Sequence, residues 1–314
     1  RKTPIWSRAV SLEKRALGCT IQLSQERTPA TQNQRLQFAE GGNQVTLPAG
    51  LRMAANIQNA GGLSDGVLNL TIWGMTRSLM NQLTTLGLQI NSLPKNLITL
   101  TAGTPGKMST AFVGYITAAE ADFNQMPEPS FQITAHTLGA WAVAPATATS
   151  YQGSASVADI MLNLATKMSL RFENSGVEVT LKNPAFTGSY RDQARECVKQ
   201  AGILWNNGAD GILAIWPKNG SRGGLIPVIA PPPEGSMIGF PKYNAYGVTV
   251  RNQYDPTIGF GQKVKVKSSV LTPTEYAVIG LAHVLTCEIP NGPWETTITG
   301  YNPQMPTRLA GAVR

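Results

Sequence analysis

The sequence has little charge. Only 14% of its 314 residues are Asp, Glu, Lys or Arg, against about a quarter in an ordinary globular protein. Thr, Ser, Asn and Gln supply the polarity instead, together with 31 glycines and 21 prolines. This balance favours β-strands joined by many turns over helical bundles. Charged residues are also depleted at the centres of subunit interfaces, so the composition suits a subunit of an assembly as well as a plain polar β protein.

Histidine and cysteine are scarce. The chain has two histidines, His136 and His283, and three cysteines, Cys19, Cys197 and Cys287. The odd number and wide spacing of the cysteines argue against a disulfide framework and against a zinc site. Neither histidine has a metal-ligating neighbour at a useful spacing. We therefore expect no metal, no cofactor and three buried thiols in a protein assembled in a reducing cytosol.

Long hydrophobic runs and catalytic motifs are missing as well. No stretch of about 18 apolar residues is present, which predicts no membrane span, and no apolar run follows the basic start as it would in a signal peptide. Residues 62–66 match G-x-S-x-G, but they lie in a predicted loop between two strands rather than at the strand-to-helix turn of a nucleophile elbow. The glycine-rich residues 220–224 lack the lysine and helix of a phosphate loop. A glycosidase needs two carboxylates across a cleft, whereas Glu120 and Asp122 precede one loop. We therefore predict no catalytic residues.

The net charge is +8, but the basic residues are dispersed. Lys263, Lys265 and Lys267 alternate with valines in one predicted strand, which places them on one face. They either face an acidic partner or a lumen, as candidate contacts with another subunit, or form a solvated face whose lysines discourage misassembly. Stacking aromatics are not interleaved with the basic groups, which argues against sequence-specific nucleic-acid binding.

The first part of the chain predicts a β-barrel. Alternating apolar and polar residues predict strands at 17–24, 51–58, 67–74, 97–103, 109–117 and 131–137. Between them, Thr76 can cap a short helix over 76–83. At least six strands with one helix in this order suggest a closed or nearly closed barrel. Residues 142–151, which are rich in Ala, Pro and Thr, predict a linker.

After residue 151 the predicted secondary structure changes from strands to a mixture of helices and strands, and then back to strands. A helix is predicted after Ser156, and a second helix opens at Ser189 or Tyr190 and ends at Gly202. Together with a hairpin over 203–216 they indicate a small α+β module. Strands are then predicted at 226–230, 245–250, 263–270, 276–286 and 294–301. The predicted fold class is mainly β (α+β). Two β-barrel-like domains, at 1–148 and 222–303, flank an α+β module at 149–221.

The end of the chain carries two further expectations. A Pro-Asn-Gly-Pro turn at 290–293 joins two antiparallel strands into a closing hairpin, in which Trp294 is expected to cover one end of the last barrel core. Residues 304–314 form an extended tail that is too short to fold alone. We expect Leu309 and Val313 in this tail to lie against another chain.

Three parts of the sequence together resemble one family. They are a strand running into a helix at 67–83, the strands and acidic loop of 97–137, and the module at 156–216 followed by the closing hairpin. Their order and spacing resemble the baseplate hub, or tail hub, proteins of contractile-tailed bacteriophages. The hub part of type VI secretion spike proteins is related to that family.

The resemblance implies a structural role. Hub proteins of this family form a homotrimeric ring whose six barrel-like domains stack on the hexameric tail tube, while the other face seats the trimeric central spike. The implied partners are tail tube and spike proteins, with the tape measure and baseplate wedge proteins as further candidates. The implied location is the virion baseplate, after assembly in the host cytoplasm. A tail-associated cell-wall hydrolase or its carrier, and a basic nucleic-acid-binding β-barrel, are the alternatives.

Overall fold

The computed structural model describes residues 15–22, 44–48, 50–59, 64–84, 96–207, 211–244, 247–268 and 274–302. The first region contains β1 (Ala16–Gln22), β2 (Gln44–Thr46), β3 (Arg52–Asn59), β4 (Val67–Trp73), α1 (Arg77–Leu83), β5 (Leu97–Thr104), β6 (Lys107–Asp122) and β7 (Ser130–His136). The middle region contains α2 (Gly139–Val143), β8 (Thr149–Ser150), β9 (Ser154–Ser156), α3 (Val157–Lys167), β10 (Arg171–Asn174), β11 (Thr180–Lys182), β12 (Ala185–Phe186), α4 (Tyr190–Ala201), β13 (Ile203–Asn207) and β14 (Ile212–Pro217). The last region contains β15 (Val228–Ile229), β16 (Met237–Asn244), β17 (Gly247–Gln253), β18 (Lys263–Val266), β19 (Thr274–Cys287) and β20 (Trp294–Tyr301).

A single 13-stranded sheet runs through the first and last regions. Its main path has the order β16-β17-β20-β19-β3-β4-β7-β6-β5-β1-β2, and β18 pairs with β19 and β15 beside this path. Neighbouring strands are antiparallel except for the parallel pair of β15 and β18. The prediction of a mainly β fold is confirmed.

The strands form because apolar and polar side chains alternate along them. In β3, Met53 and Ile57 are buried while Asn56 and Gln58 are exposed, so one face covers the core and the other faces outward. The core of the first region contains buried residues from β1, β3, β4, β5, β6 and β7. At the end of β4 the chain enters α1, whose N-cap Thr76 accepts a hydrogen bond from the backbone N–H of Leu79, as predicted.

Strand β19 joins the two outer regions. Its first half pairs with β18 and contributes Tyr276 and Val278 to the core of the last region. Its second half pairs with β3 and contributes Leu285 and Cys287 to the core of the first region. The regions 1–148 and 222–303 therefore share one sheet, and their division into two barrel-like domains stays a prediction.

The middle region has its own core. Helices α3 and α4 pack on the β10–β14–β13 sheet and bury Ile160, Cys197 and Trp205. The Ser189 hydroxyl caps α4 by accepting a hydrogen bond from the backbone N–H of Asp192 at 3.2 Å. Gly202 ends the helix at a φ of 64° in the left-handed conformation, which glycine adopts readily. Both ends of α4 were predicted correctly.

Helix α2, strand β16 and the short strands β8, β9 and β12 were not predicted. Helix α2 extends into the predicted linker, and its Trp141 donates a hydrogen bond from Nε1 to the Tyr115 hydroxyl at 3.0 Å. Strand β16 was missed because its alternation is broken: Gly239 has a φ of 72°, and the register with β17 shifts between Ile238 and Lys242. Within the described ranges, no helix has the length and apolar character needed to cross a bilayer.

Candidate assembly surfaces

The two histidines lie in strands. His136 ends β7 and is half-buried. His283 is buried in β19, where its Nδ1 shares a hydrogen bond of 2.8 Å with the Thr296 hydroxyl and its ring packs edge-on against Tyr254. Burial lowers the pKa of His283 to about 4. The imidazole is therefore neutral near pH 7, which suits a structural role inside the sheet.

The three cysteines are free and buried. Burial raises the pKa of Cys19 and of Cys197 to about 12, so both remain thiols at physiological pH. Cys287 donates a hydrogen bond from Sγ to the carbonyl oxygen of Leu51 at 3.2 Å. In the part of the chain that the structure describes, no group of three or more His, Cys, Asp and Glu side chains is placed to hold a metal.

The two candidate carboxylates lie at the end of β6. Glu120 is exposed and stands opposite Gln132 of β7. Asp122 accepts hydrogen bonds of 2.9 Å from both the backbone and the side-chain nitrogen of Asn124. The two carboxylates belong to one strand end beside a turn and do not oppose each other across a cleft. This placement favours a solvated hairpin over a glycosidase site.

The three predicted lysines lie on one face, as the sequence indicated. In β18, Lys263 and Lys265 alternate with the buried Val264 and Val266. Lys263 forms an ion pair of 3.5 Å with Glu275, and Lys267, just beyond the strand, one of 3.4 Å with Glu234. Exposed pairs of this kind contribute about 0–1 kcal/mol. The other two predicted contact residues, Leu309 and Val313, lie outside the described residues.

An apolar surface next to these lysines was missed. Leu225, Ile226 and Val228 are all exposed. Val228 stands beside Lys265 in the pairing of β15 with β18, while its neighbour Ile229 is buried in the core. The sequence predicted a strand here, but an apolar run suits a buried strand equally well. Its exposure follows from the position of β15, which among the described strands pairs only with β18.

A broad part of the sheet surface is uncharged. The outward residues of β3, β4, β7 and β20 include Asn56, Gln58, Asn69, Thr71, Gln132, Thr134, Thr297 and Thr299. Asn69 accepts a hydrogen bond of 3.3 Å from the Thr134 hydroxyl across two of these strands. The charged pair Arg52–Glu128 lies at the start of β3, and Arg251–Glu295 joins β17 to the start of β20. This neutral sheet face can be covered without removing charges from water, which would be costly.

Trp294 lies elsewhere than expected. Its half-buried side chain packs against the core of the first region rather than the core of the last one. The Tyr254 ring contacts it edge-on, with the centroids 5.7 Å apart, and the Arg15 guanidinium lies 6.0 Å from its centroid. The reason is the crossing of β19 between the two regions, because Trp294 pairs with Leu285 in the half of β19 that belongs to the first core.

Ion pairs hold the middle region to its neighbours. Asp65, just before β4, binds Arg191 of α4 at 2.9 Å and Arg195 at 3.0 Å, and all three side chains are largely buried. Arg222 donates hydrogen bonds from Nε and Nη2 to Glu173 at 3.0 and 2.9 Å. Partial burial raises the pKa of Glu173, but the hydrogen bonds and charge of Arg222 outweigh it, so the pKa is lowered.

Solved structures of tail proteins share this fold. The tail protein from Neisseria meningitidis superposes with a TM-score of 0.58 at 9% identity, covering 94% of this chain and 98% of that one. The 43 kDa tail protein of prophage MuSo2 from Shewanella oneidensis gives 0.56 at 10% identity, with 93% and 97% covered. The E. coli c3393 protein, a type VI secretion component similar to T4 tail proteins gp27 and gp5, gives 0.53 at 9% identity, with 80% and 73% covered. At such low identity these likenesses show the fold alone.

Sequence comparison identifies the family. No curated protein matches the chain, but a family model described as baseplate hub gp41 matches residues 35–285. This match spans most of the chain and agrees with the tail hub fold, so the protein belongs to the baseplate hub gp41 family of structural phage tail proteins.

Proposed function

We propose that the protein forms a homotrimeric ring in the baseplate of a contractile tail, where it joins the tail tube to the central spike. The observation that carries the proposal is the shared sheet. We take the two parts of this sheet, which have separate cores and are joined at β19, as the two barrel-like units of each chain. Three chains then present six units, and a threefold ring matches a hexameric tube on one face. The other face offers threefold symmetry to a trimeric spike.

The surfaces support an obligate assembly. Obligate interfaces are large and poor in charge, since they resemble a domain core cut in half. The neutral sheet face and the apolar residues 225–228 provide such surfaces. We also propose that residues 304–314, with Leu309 and Val313, contact a neighbouring subunit or tail protein, and that deleting them impairs incorporation into tails while the subunit still folds.

We propose further that the protein is not itself an enzyme. Glu120 and Asp122 stand on an exposed strand end rather than in a cleft. The double variant Glu120→Gln, Asp122→Asn should therefore leave any peptidoglycan cleavage by purified tails unchanged. Loss of cleavage in these tails would favour the tail-associated hydrolase alternative instead.

The ring is tested by its copy number. Native mass spectrometry of the purified protein over a range of micromolar concentrations should show a trimer. Adding the purified tube protein should give a complex of three hub chains and six tube chains. Imaging of tail particles should show the chain in three copies, and five or six copies would contradict the proposal.

A further inference from the structure

Charge is unevenly distributed along the chain. Residues 108–166 contain Glu120, Asp122, Glu128 and Asp159 but no Lys or Arg, although the whole chain has a net charge of +8. Residues 218–267 contain seven Lys and Arg residues against two acidic ones, a net charge of +5. The first segment runs from β6 into α3 and the second from β15 to β18, so the two lie in different parts of the fold. Several of these charges form ion pairs, namely Arg222, Arg251, Lys263, Lys267 and Glu128. Among the described residues, Lys265 of the second segment and Glu120 and Asp122 of the first form no such ion pair.

The acidic segment contains an exposed hairpin. We call residues 119–130, where β6 turns into β7, the acidic hairpin. Besides its three carboxylates it exposes 42% of Phe123 and 61% of Met126. Exposed apolar patches rimmed by polar residues are typical of contact surfaces.

The basic segment has the complementary composition. We call residues 225–228 and the lysines 263, 265 and 267 the basic edge. Leu225 is 85% exposed, Val228 50% and Ile226 43%. Because Val228 stands beside Lys265 in the sheet, the apolar and the basic side chains form one surface.

The two surfaces cannot meet within one chain. Lys265 pairs with Glu275 near the start of β19, whereas Cys287 at its other end pairs with Met53. Next to Met53, Arg52 binds Glu128 of the acidic hairpin. From Glu275 to Cys287, β19 advances by roughly 40 Å at about 3.3 Å per residue.

We propose that the acidic hairpin of one copy docks on the basic edge of the next copy. Phe123 and Met126 then cover the apolar residues 225–228, and Glu120 and Asp122 of the hairpin face Lys265. A contact between two different surfaces is head-to-tail and closes into a ring when the rotation between copies allows it. The inference rests on the proposed ring, for which it names the contact between subunits.

Cysteine cross-linking tests the contact. The native cysteines are buried. We therefore expect disulfides between chains to form only through the engineered surface cysteines. A Phe123→Cys chain mixed with a Val228→Cys chain under mild oxidation should give a disulfide-linked pair. Phe123→Cys mixed with Leu162→Cys, which places the thiol on an exposed position of α3, is the matched control. A chain carrying both Phe123→Cys and Val228→Cys should give a covalent trimer.

The outcomes of cross-linking and of the mass measurement distinguish a wrong contact from a wrong trimer. Cross-linking no faster than the Leu162→Cys control in a protein that is trimeric by mass overturns the contact and leaves the ring intact. Efficient cross-linking in an assembly of another size supports the contact and overturns the trimer. A monomeric mass at every concentration, with no cross-link, overturns the contact.

Charge reversal gives a second test that does not depend on cysteine chemistry. Lys265→Glu or Glu120→Lys alone should raise the dissociation constant between copies by about tenfold, and mixing the two variants should recover part of the loss. Lys242→Glu changes a lysine of β16 outside the basic edge and should have no effect. Melting temperatures confirm that each variant is folded. Equal weakening by Lys242→Glu would show that net charge, not this contact, governs assembly.

Discussion

At the scale of single residues, His283 shows how a polar side chain is accommodated inside the sheet. Its ring is almost fully buried and packs against Tyr254, while its Nδ1 shares a hydrogen bond with the Thr296 hydroxyl. A buried imidazolium would be far less stable here than a neutral ring, which explains the lowered pKa. The sequence shows a histidine in an alternating strand, but its depth depends on pairing with β20 and β3.

Because His283 is buried, we expect the stability of the protein to depend on pH. Its pKa is about 4 in the folded protein and about 6.5 in an unfolded chain. Between these values the unfolded chain binds a proton that the folded one does not, so the free energy of unfolding falls as the pH is lowered from 6.5 to 4. The loss approaches about 3 kcal/mol at pH 4.

Urea unfolding at pH 7 and at pH 4.5 measures this effect. His283→Gln should lose about 2–3 kcal/mol less than the parent between the two values, because the amide does not titrate. The control His136→Gln removes the other histidine and leaves the contribution of His283 in place. Parallel pH profiles for the parent and His283→Gln would contradict the assignment.

Replacing Trp294 with alanine is expected to destabilise the protein through lost packing at the boundary of the first core. Trp294→Ala removes the contacts with Tyr254 and with the core of the first region. Because the side chain is half-buried, we expect a loss of about 2 kcal/mol, below the about 3–5 kcal/mol of a fully buried aromatic residue. Trp294→Phe should restore more than half of it. A melting temperature within a degree of the parent for Trp294→Ala would show that the ring contributes nothing.

At the scale of elements, the connection between β14 and the last region depends on a glycine. Gly261 has a φ of +81°, and a Cβ there would lie 2.5 Å from two ring carbons of Trp216. Trp216 and Phe260 form a small buried cluster between the middle and last regions. The Gly261 carbonyl oxygen also accepts a hydrogen bond from the backbone N–H of Arg222 at 2.7 Å.

Gly261→Ala is therefore expected to destabilise the protein strongly. Gly153 has nearly the same φ, +82°, but a Cβ added there would meet no described atom within 4 Å. Gly153→Ala should lower the free energy of unfolding by about 1 kcal/mol, because only the backbone is strained. Gly261→Ala must also displace Trp216 and should lower it by about 3 kcal/mol or more. Thermal unfolding of the pair checks the difference, and equal losses would show that Trp216 yields without cost.

Elements that depend on nearby residues could be predicted from the sequence. Thr76 at the start of α1, and Ser189 and Gly202 at the two ends of α4, are local signals, and the structure confirms them. The face of the three lysines follows from strand periodicity alone. Strand β16 was missed because Gly239 and the register shift remove the periodicity.

Pairing between distant strands could not be predicted in this way. The contact of β19 with β3 joins residues more than 200 positions apart, and alternation in β19 does not indicate which strand lies on each side. The division of β19 between two cores decides where Trp294 packs. The exposure of Leu225 and Val228 likewise depends on the edge position of β15, which only the assembled sheet establishes.

At the scale of the whole molecule, the middle region is attached to the rest of the chain by polar contacts and by the buried cluster of Trp216 and Phe260. Asp65 holds two arginines of α4, and its own side chain is only 12% exposed. Asn59 of β3 also donates a hydrogen bond of 3.4 Å from its side-chain nitrogen to Oδ1 of Asn206 in β13. The module has its own core, so these contacts fix its position more than its fold.

We expect the middle region and the sheet to unfold as two separate units when the ion pairs of Asp65 are removed. Asp65→Ala leaves Arg191 and Arg195 partly buried without their shared carboxylate, which should cost about 2 kcal/mol, less than the about 3–5 kcal/mol of a fully buried pair. Hydrogen exchange should accelerate in α4, because it loses its anchor, while the amides of β19 keep their protection, because the sheet is unchanged. Glu178→Ala, at an exposed position of the same module, is the matched control and should leave both rates unchanged. If the amides of β19 and of α4 are accelerated to the same extent, the module and the sheet unfold as one unit. A ring assembled through the sheet would then depend on the ion pairs of Asp65 for its integrity.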